Sequence, residues 1–382
     1  MQDVYVVSAV RTPIGVGKPE VGALYPIEPI DLAAHVLRAC VDRVGVAPEL
    51  VEDVIMGCVT PIGDQGANIA RLSLLQAGFP VAVPGVQINR MCGSSQQAVH
   101  FGAQAIQAGD MHMVLCGGIE MMSHQPLGAD YPPEWPEDFP YELIHQGLSA
   151  EMMAEKWDLD REALDDYAFE SHRRAGEAIR NGRQRSQIEP APVPEDNGGE
   201  RLVEHDQGVR FPPDRAKMRA LQPVFKADGV ITAGNASQIS DGAAAVLLAS
   251  ARTVRELDLM PLARIRSRFV VGSDPVLMLD GPIHATREIL HREGLSLEDM
   301  DVVEINEAFA SVVLAWAKEF QADLARVNPE GGAIAHGHPL GATGGVLMVK
   351  LVDELRRRGG RLGLQTMCIG HGMATATIVE AV

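Results

Sequence analysis

Apolar residues recur along this chain with two alternating periods. At Val4–Val10 they form a short continuous run, as in a strand buried on both faces. From Ile30 to Val44 the spacing changes, and Leu32, Ala33, Val36, Leu37, Cys40, Val41 and Val44 share one helical face. Gly45-Val-Ala-Pro turns the chain, and Val51–Val59 is strand-like again. Asn68–Ala77 predicts a helix stopped by Gly78-Phe-Pro. Another helix opens beside Cys92, with Ala98, Val99, Gly102, Ala105 and Ile106 in phase and Gly109-Asp110 as its stop. Met111–Cys116 is an apolar strand ending in Gly117-Gly118. Strands alternating with helices predict βα units and a mostly parallel sheet.

The alternation breaks after Glu120. Tyr131-Pro-Pro-Glu-Trp-Pro-Glu-Asp-Phe-Pro is a proline-rich acidic loop. Helices are predicted at Ser149–Lys156 and from the N-cap Asp160 to Asn181-Gly182. Residues 183–230 are rich in Pro, Gly and charge, with a hairpin turn at Asn197-Gly198-Gly199. From Ser240 the βα pattern resumes, and it echoes the first half: helix Ile283–Arg292, turn at Gly294, strand from Met300, helix Gly341–Arg358, strand Arg361–Cys368. Gly45 to Gly294, Gly93 to Gly341 and Cys116 to Cys368 are offset by 249, 248 and 252 residues. A near-constant offset across three element types points to a duplicated unit. The chain divides into an N-terminal half of residues 1–118 plus 240–260, an insertion at 119–239, and a C-terminal half at 261–382.

Composition narrows the function. A net charge of −18 in 382 residues excludes nucleic acid as the general partner, because phosphate backbones need a basic surface. No apolar run reaches the roughly 18 residues of a membrane span. The N-terminus lacks the basic and apolar regions of a secretory signal. Five cysteines at irregular spacing form neither a disulfide framework nor a CxxC metal pattern, which places the chain in a reducing, cytoplasmic compartment.

Four stretches carry chemistry. Cys92 precedes a helix, where unpaired N–H groups and the dipole lower a thiol's pKa and favour the nucleophilic thiolate. A buried structural cysteine is the plainer alternative. Asn306-Glu307-Ala308-Phe309 follows a strand, a place where ligands bind in open α/β sheets and where Asn and Glu also cap helices. His338 stands before Pro339, on an extended loop leading into a helix, and histidine is the usual base near neutral pH. His336 and His338 lack a third metal ligand at usual spacing. Cys368-Ile369-Gly370 offers a second thiol and free backbone N–H groups for an oxyanion. Together they form a Cys–His nucleophile constellation.

Asn-Arg-Met-Cys92-Gly-Ser-Ser-Gln-Gln-Ala, Asn306-Glu-Ala-Phe-Ala, the Gly331–Gly344 stretch with His338-Pro-Leu-Gly, and Cys368-Ile-Gly370 resemble the four catalytic loops of the thiolase family. Arg11-Thr-Pro-Ile-Gly, Ala233–Ser237 and Ser240-Asp-Gly-Ala-Ala-Ala are similar to other thiolase stretches. The resemblance covers essentially the whole chain. It implies an α/β fold of five αβαβα layers, two similar halves and an inserted loop domain that binds CoA. It implies that Cys92 is the acylated nucleophile, and that His338 takes its proton and stabilises the enolate oxygen. Asn306 would hold a water in that oxyanion site, Cys368 would be the second acid/base, and the N–H groups of Cys92 and Gly370 would form the other oxyanion hole. By the same resemblance, His145 and Ser237 lie beside the pantetheine arm and Met278 lines the acyl pocket. CoA and acyl-CoA are substrates, so no cofactor or metal is implied; a homodimer or homotetramer is. Arg173, Arg174, Arg180, Arg183, Lys217 and Arg219 are candidates for the CoA phosphates.

His336 and His371 depart from the pattern, standing where many thiolases carry an apolar residue and a glycine; both sit beside proposed catalytic residues. Gln146 replaces a methionine of short-chain biosynthetic members. Asn306–Lys318 and Gly331–Gly344 are closest to degradative members, including actinobacterial ones tied to steroid breakdown. This favours CoA-dependent cleavage of a 3-ketoacyl-CoA other than acetoacetyl-CoA. The alternatives are an acetoacetyl-CoA-specific acetyltransferase working in Claisen condensation, a decarboxylating ketoacyl-synthase-type enzyme, and an inactive acyl-CoA- or lipid-binding relative. Cys368 in its Cys-x-Gly loop argues against the second, and the presence of both cysteines and the Gly-His-Pro loop against the third.

Overall fold

The computed structural model describes residues 2–195 and 198–382. The first half lays down β1 (Val4–Arg11), a short β2 (Gly15–Val16), α1 (Pro29–Asp42), β3 (Asp53–Gly57), α2 (Ile69–Gln76), β4 (Gly85–Ile88), α3 (Ser94–Ala108) and β5 (Met113–Met121). The excursion then brings α4 (Gln146–Lys156), α5 (Arg161–Arg180), the hairpin of β6 (Ala191–Pro194) and β7 (Glu200–Val203), and α6 (Arg215–Arg219). The predicted turn at Asn197 lies outside the described residues. Next come β8 (Ser240–Ser250), α7 (Ala251–Glu256), β9 (Ala263–Gly272), α8 (Gly281–Glu293), β10 (Val302–Ile305) and α9 (Ala310–Phe320). The chain closes with α10 (Ala333–His336), α11 (Thr343–Arg358), β11 (Leu362–Ile369) and β12 (Met373–Ala381).

The strands run in the order β10-β11-β12-β9-β1-β8-β5-β3-β4, with β2 on β8. The halves meet where β1 touches β9 through only two residue pairs, Tyr5–Arg264 and Val6–Ala263. On either side of that seam the order mirrors itself: β1-β8-β5-β3 in one direction, β9-β12-β11-β10 in the other. The expected mostly parallel sheet is corrected to a mixed one. Among the described residues only the strand pairs β3–β5, β3–β4 and β10–β11 are parallel, because β8 and β12 return antiparallel between the βα units and the seam.

Alternation along the strands explains the layers. On β8, Ala243, Ala245, Leu247 and Ala249 face an outer core with α1 and α2, while Val246 and Leu248 face α3 and α11. On β11, Leu362, Leu364 and Cys368 face the outer core with α8 and α9. Helices α3 and α11 therefore form a middle layer between the halves, giving five layers, αβαβα. Glycine lets that layer close: a Cβ on Gly344 would strike the backbone of Gln96, and Gly345 N donates to Ser95 Oγ at 2.8 Å. Strand β5 runs past its expected end at Cys116, since Gly117 and Gly118 fit tightly against Ala244 and Gly341. No helix among the described residues is long and apolar enough to cross a membrane.

Candidate active site

The start of α3 is fixed by its own loop. Asn89 Oδ1 accepts from Met91 N at 2.8 Å, its Nδ2 donates to Val59 O, and Ser94 Oγ donates to Met91 O at 2.6 Å. Met91 takes a left-handed φ of 46°. This places Cys92 one residue before the N-cap Gly93, in a small apolar cluster with Met122, Leu340, Leu347 and Ile369. The thiolate expected from the helix terminus is corrected here. Burial pushes the Cys92 thiol up to about 11, although the N–H groups of Gly370 and of Cys92 itself pull the other way. Desolvation disfavours the charged form more than a helix end favours it. The resting group is a thiol.

The same N–H contacts put Cys92 against the loop after β11. Cys368, the penultimate residue of β11, is fully buried, and its thiol is raised by burial and further by the nearby Cys92. Cys92 thus meets Gly370, two residues after Cys368, although the parent elements lie in different halves.

His338 is held on the turn into α11. Its N–H donates to Gln238 O at 3.1 Å and to Ser240 Oγ at 3.1 Å. Gln238 Nε2 in turn donates to the carbonyls of Gly208, Ile334 and Ala335. Nδ1 lies 2.6 Å from Thr343 Oγ1, and that hydroxyl donates its one hydrogen to Pro339 O at 2.8 Å. Thr343 must therefore accept from Nδ1–H, which makes Nε2 the unprotonated, basic nitrogen. Asn306 Nδ2 lies 3.3 Å from that Nε2. Burial lowers His338 to about 4, so the imidazole is neutral near pH 7. Leu340, two residues after His338, belongs to the apolar cluster that holds Cys92.

Several organising residues carry no local motif. Glu120 accepts from the N–H groups of Val59, Thr60 and Gly341 at 2.8–3.0 Å, tying the end of β3 to the turn before α11. Glu307 accepts from Tyr167, Ser171, Asn328 and Ile334 at 2.7–3.2 Å, fixing the Asn306 loop to α5 and to the Gly331–Ala335 segment. A run of short-range spacing cannot reveal partners up to 221 residues apart.

The remaining expected residues fall as follows. His145 caps α4, accepting from Gly147 N at 3.0 Å, and stacks on Phe225, which meets Phe309 edge-on. Ser237 N donates to Ala308 O, placing it beside the Asn306 loop. Met278 is buried, at φ 59°, in the outer core that also holds Cys368 and Phe309. His336, expected beside the catalytic residues, is corrected: it turns away to Asp206, 2.8 Å from Nδ1, and to Glu330 O, 2.7 Å from Nε2. Gly337, at φ 116°, separates the two histidines with a backbone conformation that favours glycine. Asp206 also holds Arg11 bidentately; burial opposes its charge, yet Arg11 and His336 keep its carboxyl well below the usual range. Arg173, Arg174 and Arg219 pair with Glu170 or Glu162, and Lys217 lies near Asp214, so these side chains already face carboxylates. All five cysteines are free and buried.

A thiol, a neutral imidazole with its Nε2 unprotonated, a second thiol and converging backbone N–H groups suit acyl transfer through a thioester. The layered, duplicated fold that carries them defines the class. Residues 4–252 match the thiolase N-terminal domain and residues 259–381 the thiolase C-terminal domain. The chain belongs to the thiolase family and is an acyltransferase acting on CoA thioesters. It is 48% identical to the steroid 3-ketoacyl-CoA thiolase FadA6 of Mycobacterium tuberculosis, over 100% of this chain and 94% of that protein. It is 42% identical to an acetyl-CoA acetyltransferase of Pseudomonas aeruginosa, over 98% of each. Among solved structures, the Bacillus anthracis acetyl-CoA acetyltransferase superposes with a TM-score of 0.92 at 38% identity, covering 100% of this chain and 99% of that one.

Proposed function

We propose that this thiolase is degradative and cleaves a 3-ketoacyl-CoA, larger than acetoacetyl-CoA, with CoA. The observation that carries the mechanism is the contact of Cys92 with the N–H of Gly370, two residues after Cys368, in a cluster with Leu340, two residues after a His338 whose tautomer Thr343 selects. His338 Nε2 takes the Cys92 proton as sulfur attacks the C3 ketone. Backbone N–H groups of Cys92 and Gly370 stabilise the oxyanion. The C2–C3 bond breaks, and its electron pair leaves with the acetyl-CoA enolate. Asn306 Nδ2 and the protonated His338 stabilise the enolate oxygen, directly or through a water that Asn306 holds. Cys368, kept as a thiol by burial, protonates C2 and acetyl-CoA departs. The shortened acyl group stays on Cys92 as a thioester. The CoA sulfur then attacks the thioester as Cys368 takes up the CoA proton, the Cys92 sulfur is expelled and takes its proton back from His338, and the shortened acyl-CoA leaves. Ser237 and His145 flank the CoA arm, and Met278 borders the acyl chain.

The preference for a larger acyl group rests on the mycobacterial relative named as a steroid thiolase. The acetyltransferase names among relatives of slightly lower identity favour the acetoacetyl-CoA alternative. The test is a panel of short, long and ring-bearing 3-ketoacyl-CoAs, with loss of each ketoacyl thioester followed in the presence of CoA. Turnover confined to acetoacetyl-CoA would reverse the reading. We further expect a homodimer or homotetramer, since β4 ends the sheet and leaves Val86 exposed.

A further inference from the structure

His371 sits one residue beyond Gly370, whose N–H faces the Cys92 sulfur. It adopts φ 64°, a conformation costing a bulky L-residue about 1 kcal/mol. Glycine flanks it on both sides, so the chain could have met this bend without a ring. Neither ring nitrogen has a hydrogen-bond partner among the described residues, and Nδ1 is sealed from solvent. A strained, unpartnered imidazole beside the nucleophile calls for a ligand.

Its surroundings say which kind. The ring lies 6.0 Å from both Tyr131 and Trp135, and Trp135 continues to Phe139 and Tyr141. The chain is only 4% aromatic, yet four of these rings fall within residues 131–141, each at least 40% exposed. Exposed clusters of that kind mark binding surfaces. Trp135, Phe139, Tyr141, Pro275 and His371 line a cavity of about 390 Å³, within the range of small-molecule sites. The loop also carries Glu134, Glu137, Asp138 and Glu142, all exposed, which repel a free carboxylate.

We propose that His371 and the aromatic loop form the subsite for the distal end of the acyl group. That end is a ring hydrocarbon bearing a neutral oxygen, a ketone or hydroxyl, which bonds the His371 imidazole. The aromatic walls take the flat hydrocarbon, and the His371 Nε2, the accessible nitrogen of the ring, takes the oxygen. This deepens the degradative reading above and rests on it.

The test compares three substrates: acetoacetyl-CoA, a 3-ketoacyl-CoA ending in a bicyclic ketone, and the same compound without the ring ketone. In wild type, kcat/KM is highest for the bicyclic ketone. His371→Gly lowers the ratio of ketone to deoxy substrate about tenfold. His371→Asn, an amide that tolerates a left-handed backbone, recovers part of it. Trp135→Ala lowers both ring substrates relative to acetoacetyl-CoA about tenfold. If wild type cleaves only acetoacetyl-CoA, the degradative reading and this subsite both fall. If wild type cleaves the ring substrates but the ratios hold in every variant, the subsite alone falls. A change of oligomeric mass in Trp135→Ala with unchanged ratios also overturns it, assigning the loop to a second copy of the chain.

Discussion

His338 Nδ1 and Thr343 Oγ1 lie 2.6 Å apart, and the hydroxyl's only hydrogen points elsewhere, to Pro339 O. One threonine on the first position of α11 thereby sets which nitrogen of the base is unprotonated. Thr343→Val removes the acceptor and lets the ring change tautomer. kcat is expected to fall about 100-fold, the scale of a lost general base, with KM nearly unchanged. Thr343→Ser, which keeps the hydroxyl, should restore most of the rate. A loss of KM instead of kcat would show Thr343 to be merely structural.

The buried Cys92 thiol predicts a particular pH profile. With a value of about 11, roughly one molecule in 10,000 carries the thiolate at pH 7. Alkylation by iodoacetamide should rise about tenfold per pH unit from 7 to 10. Peptide mass mapping should find the adduct on Cys92, and prior incubation with acyl-CoA should block it. A plateau near pH 8 would mean that the helix terminus, not burial, governs this sulfur.

Glu307 gathers four donors in a dry interior. Its charge also acts on Tyr167, whose hydroxyl burial first, and then Glu307, raise well above its ordinary value. Glu307→Ala strands those donors and should cost at least about 3 kcal/mol in urea unfolding. Glu307→Gln, still an acceptor at one oxygen, should cost less. Equal effects would assign the loss to cavity formation alone.

Asp241 links stability to pH. Burial raises its carboxyl to about 6, against the pull of Ser123, whose N–H and hydroxyl donate to it at 2.8 and 2.6 Å. A carboxyl raised on folding contributes stability that is complete below about pH 4 and lost as pH climbs through 6. The loss is on the order of 2–3 kcal/mol. Unfolding free energies of wild type and Asp241→Asn, measured from pH 4 to 7, should converge or cross by that amount. Parallel profiles would remove Asp241 from the account.

Much of this could be read in order along the chain. The offsets of Gly45/Gly294 and Gly93/Gly341 anticipated the mirrored strands on either side of the β1–β9 seam. Cys92 did fall at the start of a helix. The state of its sulfur was not legible, because residue spacing shows a helix end but not the apolar cluster around it. The two histidines looked alike for a similar reason: the partners that distinguish them, Asp206 and Glu330 for His336 and Thr343 and Asn306 for His338, leave no mark in hydrophobic pattern. Glu120, Gln238 and Thr343 were missed as organisers because their roles exist only through distant carbonyl, amide and ring partners.

The mirrored halves offer two similar places, each a helix start facing a strand end. In one, Cys92 faces the Ile369–Gly370 end of β11; in the other, Gly341 faces Glu120 on β5. At the second place the Glu120 carboxylate takes the Gly341 N–H together with those of Val59 and Thr60. The mirrored scaffold is thus unequal in its chemistry: one helix start presents a thiol, and the other is pinned by a carboxylate.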